Sequence, residues 1–140
     1  MTDSLTSLPV EFLFTMHATL APPIVVADAP NGTRVVVGVT GGTVLGPRVN
    51  GTLYATGGDW VTLRTNGTAH LDVRLAISTD DGAVIGMTYQ GILGVDRVAR
   101  VAPHFAAAAA DRYAWLNEVQ AVAFGTLGLN EVTYEVYALC

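Results

Sequence analysis

Apolar and polar side chains alternate one for one along most of this chain, which is the spacing of half-buried strands rather than helices. Over residues 11–20, Phe12, Phe14, Met16 and Ala18 fall on one side, against Glu11, Thr15, His17 and Thr19. Over residues 70–78, Leu71, Val73, Leu75 and Ile77 oppose His70, Asp72, Arg74 and Ala76. Further strands are predicted at 34–40, 49–55, 59–64, 83–92, 118–124 and 131–139. Asn-Gly-Thr occurs at Asn31, Asn50 and Asn66, and Asn-Gly is a favoured centre of the type I′ hairpin turn. Asp80-Asp81-Gly82 punctuates two apolar runs in the same way, and the Gly41-Gly42, Gly46-Pro47 and Gly57-Gly58 pairs mark bends or bulges.

No strand–helix–strand alternation is visible. The pattern predicts one all-β domain over residues 1–140: a small closed antiparallel barrel of about eight or nine strands, with a sandwich as the alternative. Eight such strands suffice to enclose one small ligand. The exception to alternation is the stretch 103–117. Five consecutive alanines at 106–110 favour helix by propensity but bury little. One short helical turn is predicted near 108–117, where Tyr113, Trp115 and Leu116 give it something to pack.

Composition sharpens this picture. Only 14% of residues are charged while 51% are hydrophobic, against about 25% charged in an ordinary domain. Apolar surface must therefore remain after the core is filled. An oligomer interface, a homodimer or larger, is expected, with or without an apolar ligand cavity. The net charge of −5 argues against nucleic acid and against anionic membranes as partners, since both demand a basic face. The lone cysteine, Cys140, has no intrachain disulfide partner, and residues 1–9 lack the pattern of a signal peptide. A cytoplasmic protein is expected.

Candidate chemistry is sparse. The histidines, His17, His70 and His104, form no His-x-His pair, and only His70 has an acid at ligand spacing on its strand, Asp72. A catalytic zinc site wants three protein ligands, so neither metal nor cofactor is expected. No serine lies in Gly-x-Ser-x-Gly. The polar side of the strand at 70–78 is more informative, because Asp72 and Arg74, two apart, share a face. Facing solvent, they make an exposed ion pair worth under ~1 kcal/mol. Facing the interior, Asp72 is an acid or base and Arg74 an oxyanion holder. Both orientations are open at this level. Tyr89, Arg48, Asp59, Trp60 and Trp115 are further candidates as hydrogen-bond donors, charge partners or stacking platforms.

Five ordered pieces carry a resemblance: Gly41 to Arg48, Gly58-Asp59-Trp60, Leu71 to Arg74, Thr79 to Ala83, and Tyr113 to Asn117. With Phe12-Leu13-Phe14 and Pro22-Pro23, the chain resembles the domain of unknown function 3237 family over nearly its whole length. The resemblance implies a lipocalin-like or calycin-like barrel, often oligomeric, and no settled activity. It adds weight to Asp72, Arg74, Asp59, Trp60, Trp115 and Asn117. Departures are Val98-Ala99 where relatives carry an aromatic pair, Ala106-Ala107 where they carry Glu-Thr, and Gly86 in place of a common tyrosine.

The expectation is therefore a cofactor-independent isomerase, lyase or cyclase acting on a small apolar, carbonyl-bearing molecule inside the barrel. Asp72, Arg74 and Tyr89 are its expected catalytic groups; Arg48, Asp59, Trp60, Phe14, Trp115 and Asn117 are expected to contact the substrate. The alternative is a barrel that binds a small hydrophobic ligand without chemistry.

Overall fold

The computed structural model describes residues 3–140. It contains eleven strands: β1 (Val10–Leu20), β2 (Ile24–Ala29), β3 (Gly32–Leu45), β4 (Gly51–Leu53), β5 (Gly58–Leu63), β6 (Ala69–Thr79), β7 (Val84–Leu93), β8 (Val98–Val101), β9 (His104–Ala106), β10 (Ala121–Gly128) and β11 (Glu131–Leu139). Eight of them close a ring in the order β1, β3, β5, β6, β7, β8, β10, β11 and back to β1, each pairing antiparallel. Strands β2, β4 and β9 are additions to that barrel. Closure leaves the eight-stranded ring without a free edge. One short 3-10 helix, Ala114–Glu118, is present within the segment predicted for a helical turn.

The predicted strands all form, with ends moved by up to a few residues. Three strands escape the alternation rule. In β2, Ile24, Val25 and Val26 are consecutive and exposed, because β2 prolongs the line of β1 along β3 beyond the barrel wall. Strands β8 and β9 are four and three residues long, too short for a period to register. The alanine run is not helical: Ala106 ends β9 and a turn follows.

Two local expectations are corrected. A bulge at Leu13 shifts the β1–β11 register between Phe12 and Phe14, so Leu13, Phe14, Met16 and Ala18 point inward while Phe12 turns out. Outside, Phe12 meets Tyr137 edge-on, and Tyr137 stacks on Phe124. This outer face, with Val10, Val98 and Val122, carries part of the apolar surface that the composition demanded. The Asn-Gly pairs do not form type I′ turns. Positive φ occurs at Gly32 and Gly67 but not at Asn31 or Asn66, and Asn50 precedes β4, bonded through its side chain to the backbone of Gly46.

The barrel is filled at one end only. Phe14, Met16, Val44, Val49, Ile77 and Ile85 are fully buried, and Phe14 meets Phe105 edge-on, ring centroids 6.0 Å apart. Leu116 of the 3-10 helix, 1% exposed, caps this packing from below. Truncating one such side chain to alanine costs about 2–5 kcal/mol. Toward the other end the inward side chains leave an open space.

Candidate functional site

That space is a cavity of about 400 Å³, within the range of small-molecule sites. Its walls are the inward faces of the barrel strands: Val35, Val37 and Val39 of β3, Leu71, Val73 and Leu75 of β6, and Val132 of β11. Polar groups are few. Asp59 of β5, Tyr89 of β7 and Tyr134 of β11 face the interior, and Arg97 lies at the mouth. The strand alternation that buries Leu71, Val73 and Leu75 turns Asp72 and Arg74 outward. They line a groove on the outer wall with Thr88, Gln90 and His104. Asp72 and Arg74 thus lie outside the cavity, which corrects the interior placement that a catalytic role for them requires.

Asp59 is inside for the same reason: β5 presents Asp59, Val61 and Leu63 to the cavity and Trp60 to solvent. One carboxylate oxygen accepts the backbone N–H of Asp72 at 3.0 Å. The β5–β6 ladder pairs Asp59 with Val73 and Thr62 with His70, and is interrupted between them. The side chain of Asp59 thus supplies an acceptor where the sheet opens. Burial in apolar surroundings is the main cause that lifts its pKa to about 6; the Asp72 N–H opposes this, the Asp72 charge adds to it and His70 opposes it. A carboxyl so placed changes protonation near neutral pH, as a general base must.

Tyr89 and Tyr134 meet edge-on, with ring centroids 5.2 Å apart. Burial raises both pKa values, and the charge of Asp59 raises them further. The proximity of the two hydroxyls lifts Tyr89 and lowers Tyr134. Both phenols therefore stay protonated and serve as donors. The Tyr134 ring lies over Gly125 of the neighbouring strand, where an added Cβ would stand 2.7 Å from it. Glycine at that position lets the ring lie flat against the wall.

The other predicted residues gather at the filled end. The Arg48 guanidinium lies 3.6 Å from the Trp115 ring centroid. Asn117 bonds the backbone of Ala107 through both its amide groups. Asp81 accepts from Thr79 at 2.7 Å, Tyr113 at 2.9 Å and Arg112 at 2.9 Å. The pieces at 41–48, 79–83 and 113–117 thus meet as a clasp across the barrel base, beside an outward recess of about 450 Å³. Phe14 belongs to the core above that clasp. Of the nine predicted residues, Asp59 and Tyr89 reach the cavity. Sequence reasoning missed Tyr134, whose signal is its place midway along the inward face of β11, and Arg97, for which position in a turn gives none.

The departures from the family pattern also separate. Gly86 and Ala106 are direct partners across β7 and β9, so these two reductions in size meet at one place outside the cavity. Ala99, 1% exposed, lines the cavity itself. Among the described residues no cluster of three metal-binding side chains occurs, and no helix is long and apolar enough to cross a membrane.

The sequence model of the family described as "Protein of unknown function (DUF3237)" matches residues 8–139. UPF0311 proteins of Rhodopseudomonas palustris and Bradyrhizobium diazoefficiens are each 29% identical over 86 residues, 61% of this chain and 56% of theirs. The aligned part is little more than half the length of those relatives. Among solved structures, a conserved protein of unknown function from Rhodopseudomonas palustris superposes with TM-score 0.89 at 23% identity, over 97% of this chain and all of its own. A β-barrel-like protein from Acinetobacter baumannii gives 0.85 at 23%, over 98% of this chain and all of its own. A protein from Penicillium herquei described as an enzyme gives 0.76 at 26%, over the full length of both.

Proposed function

The chain belongs to the DUF3237 family, and we propose that it is a cofactor-independent enzyme of the isomerase, lyase or cyclase kind, acting on a small apolar carbonyl compound held in its barrel. The observation that carries this reading is the placement of one carboxyl, Asp59, with a pKa of about 6, among apolar walls and beside two protonated phenols. The likeness to a protein described as an enzyme supports it.

The arrangement suits proton transfer next to a carbonyl. The Asp59 carboxylate takes the α-proton; the C–H electron pair passes into an enolate. The Tyr89 or Tyr134 hydroxyl donates to the enolate oxygen. Return of the proton to another carbon completes an isomerisation. Loss of a β-substituent completes an elimination, and attack of the enolate carbon on an internal acceptor closes a ring. Excluding water strengthens the few dipoles present and protects the enolate. Asp59 takes the role first sought in Asp72, and the phenols take that sought in Arg74.

The test is hydrogen–deuterium exchange at the α-carbon of 2-tetralone in D2O, followed by NMR. Wild type accelerates exchange, with a rate rising through about pH 6. Asp59→Asn loses about 10²–10⁴-fold of the acceleration, and Tyr134→Phe a smaller part. Binding without exchange sinks the catalytic reading and leaves a ligand-carrying barrel.

A further inference from the structure

The cavity holds two formal charges at different depths. Asp59 is deep; Arg97 is at the mouth, in the turn joining β7 and β8. Every other lining residue is uncharged. Arg97 has no carboxylate within 4 Å among the described residues, whereas its neighbour Asp96 is bound to Arg100 at 2.8 Å.

The backbone at Arg97 is unusual. Its φ is +67°, and the turn is closed by the bonds from Arg97 N–H to Gly94 and from Gly94 N–H to Val98. This is a tight hairpin whose left-handed position glycine normally takes. A long side chain there is held against its backbone preference. The other left-handed non-glycine residues are Asp28 and Asn130, short types that tolerate the region. Arginine has no such local justification, and its side chain borders the opening of an apolar chamber.

Leu63 is level with Ala69 and Ala69 with Leu93, from which the Arg97 turn departs. Asp59 lies four residues further down β5, about 13 Å along the strand. The two charges therefore stand at opposite ends of the ligand space.

We infer that the molecule this cavity takes is an organic anion: an apolar body whose carboxylate, or equivalent oxyanion, meets Arg97 at the mouth while its reacting carbonyl lies at the Asp59 end. This rests on the cavity being the site proposed above. A single guanidinium at the mouth, with no carboxylate partner, gives such a ligand one orientation and favours it over its neutral analogue.

The experiment is calorimetric titration of the full chain at pH 7.5 with decanoate and with decanamide, the same chain with and without the charge. Wild type binds decanoate at least tenfold more tightly than decanamide. Arg97→Gly, which relieves the backbone and keeps the fold by thermal melting, abolishes the difference and leaves decanamide unchanged. Arg97→Lys retains most of it. Equal binding of the two ligands by wild type, or equal weakening of both in Arg97→Gly, overturns the inference while leaving the cavity site intact. Failure of both ligands to bind removes the cavity site and the inference together.

Discussion

Asp59 and Asp72 stand on opposite sides of one sheet, joined where the Asp59 carboxylate accepts the Asp72 backbone N–H at 3.0 Å. The inward acid is tethered by the strand that carries the outward one. The tether holds Asp59 against the wall and opposes the rise in its pKa, but desolvation outweighs it.

Asp59 costs the fold stability once ionised. Its pKa rises from 3.8 to about 6 on folding, so the unfolded chain loses this proton first. Stability therefore falls as pH climbs from about 4 to about 6, by at most about 3 kcal/mol at 1.36 kcal/mol per unit. The facing groups are Asp72, His70, Tyr89 and Tyr134. Asp59→Asn should melt at higher temperature than wild type at pH 7 and lose that slope. Urea titrations across pH 4–7 check this; an unchanged slope sinks the assignment.

Two glycine substitutions should behave oppositely. Gly125→Ala drives a Cβ into the Tyr134 ring, and overpacking of this kind costs about 1–3 kcal/mol. It should also slow 2-tetralone exchange by displacing the phenol. Gly86→Ala meets Ala106 at an ordinary 3.6 Å and has no positive φ. It should be neutral or stabilising by about 0.4–1 kcal/mol. Denaturant midpoints and the exchange assay separate the two.

Ala99→Leu should fill the chamber. The added side chain enters existing space, so the variant should fold, gaining about 0.5–2 kcal/mol. Binding of 2-tetralone should disappear. Retained binding by calorimetry would show that the ligand sits elsewhere, in the outer groove or the basal recess.

The base responds to acid rather than to alkali. Hydrogen bonds from Thr79 and then Tyr113, followed by the charge of Arg112, lower the Asp81 carboxyl below 3.8. A depressed acid stabilises above its unfolded value and loses that contribution as pH falls below about 4. Asp81→Asn should therefore be less stable than wild type at pH 6, with the gap narrowing toward pH 2. Thermal melts over that range read it directly; a constant gap contradicts the assignment.

Strand identity was legible because period two survives wherever one face is buried, as in β6 and β11. It failed at Leu13, where a bulge adds one residue and puts Phe12 outside while Phe14 stays inside. No periodicity announces a bulge. Alternation also settles Asp72 and Arg74 once the apolar face of β6 is taken as the interior one. The cavity was less legible. Asp59 sits beside the Gly57-Gly58 pair, where the pattern is only beginning, and Tyr134 reads as one more core aromatic. Whether an inward residue meets packing or empty space depends on what faces it from across the barrel, as Phe14 and Val37 illustrate.

Because Phe14, Phe105 and Leu116 stopper the lower half, the chamber is a cul-de-sac. Whatever enters past Arg97 must leave by the same door, and a second reactant cannot come in behind the first. This traffic pattern favours transformations in which one molecule rearranges, closes on itself or sheds a small fragment. It disfavours transfers between two bulky partners. Under the proposed function, it also puts product departure on the same path as substrate entry.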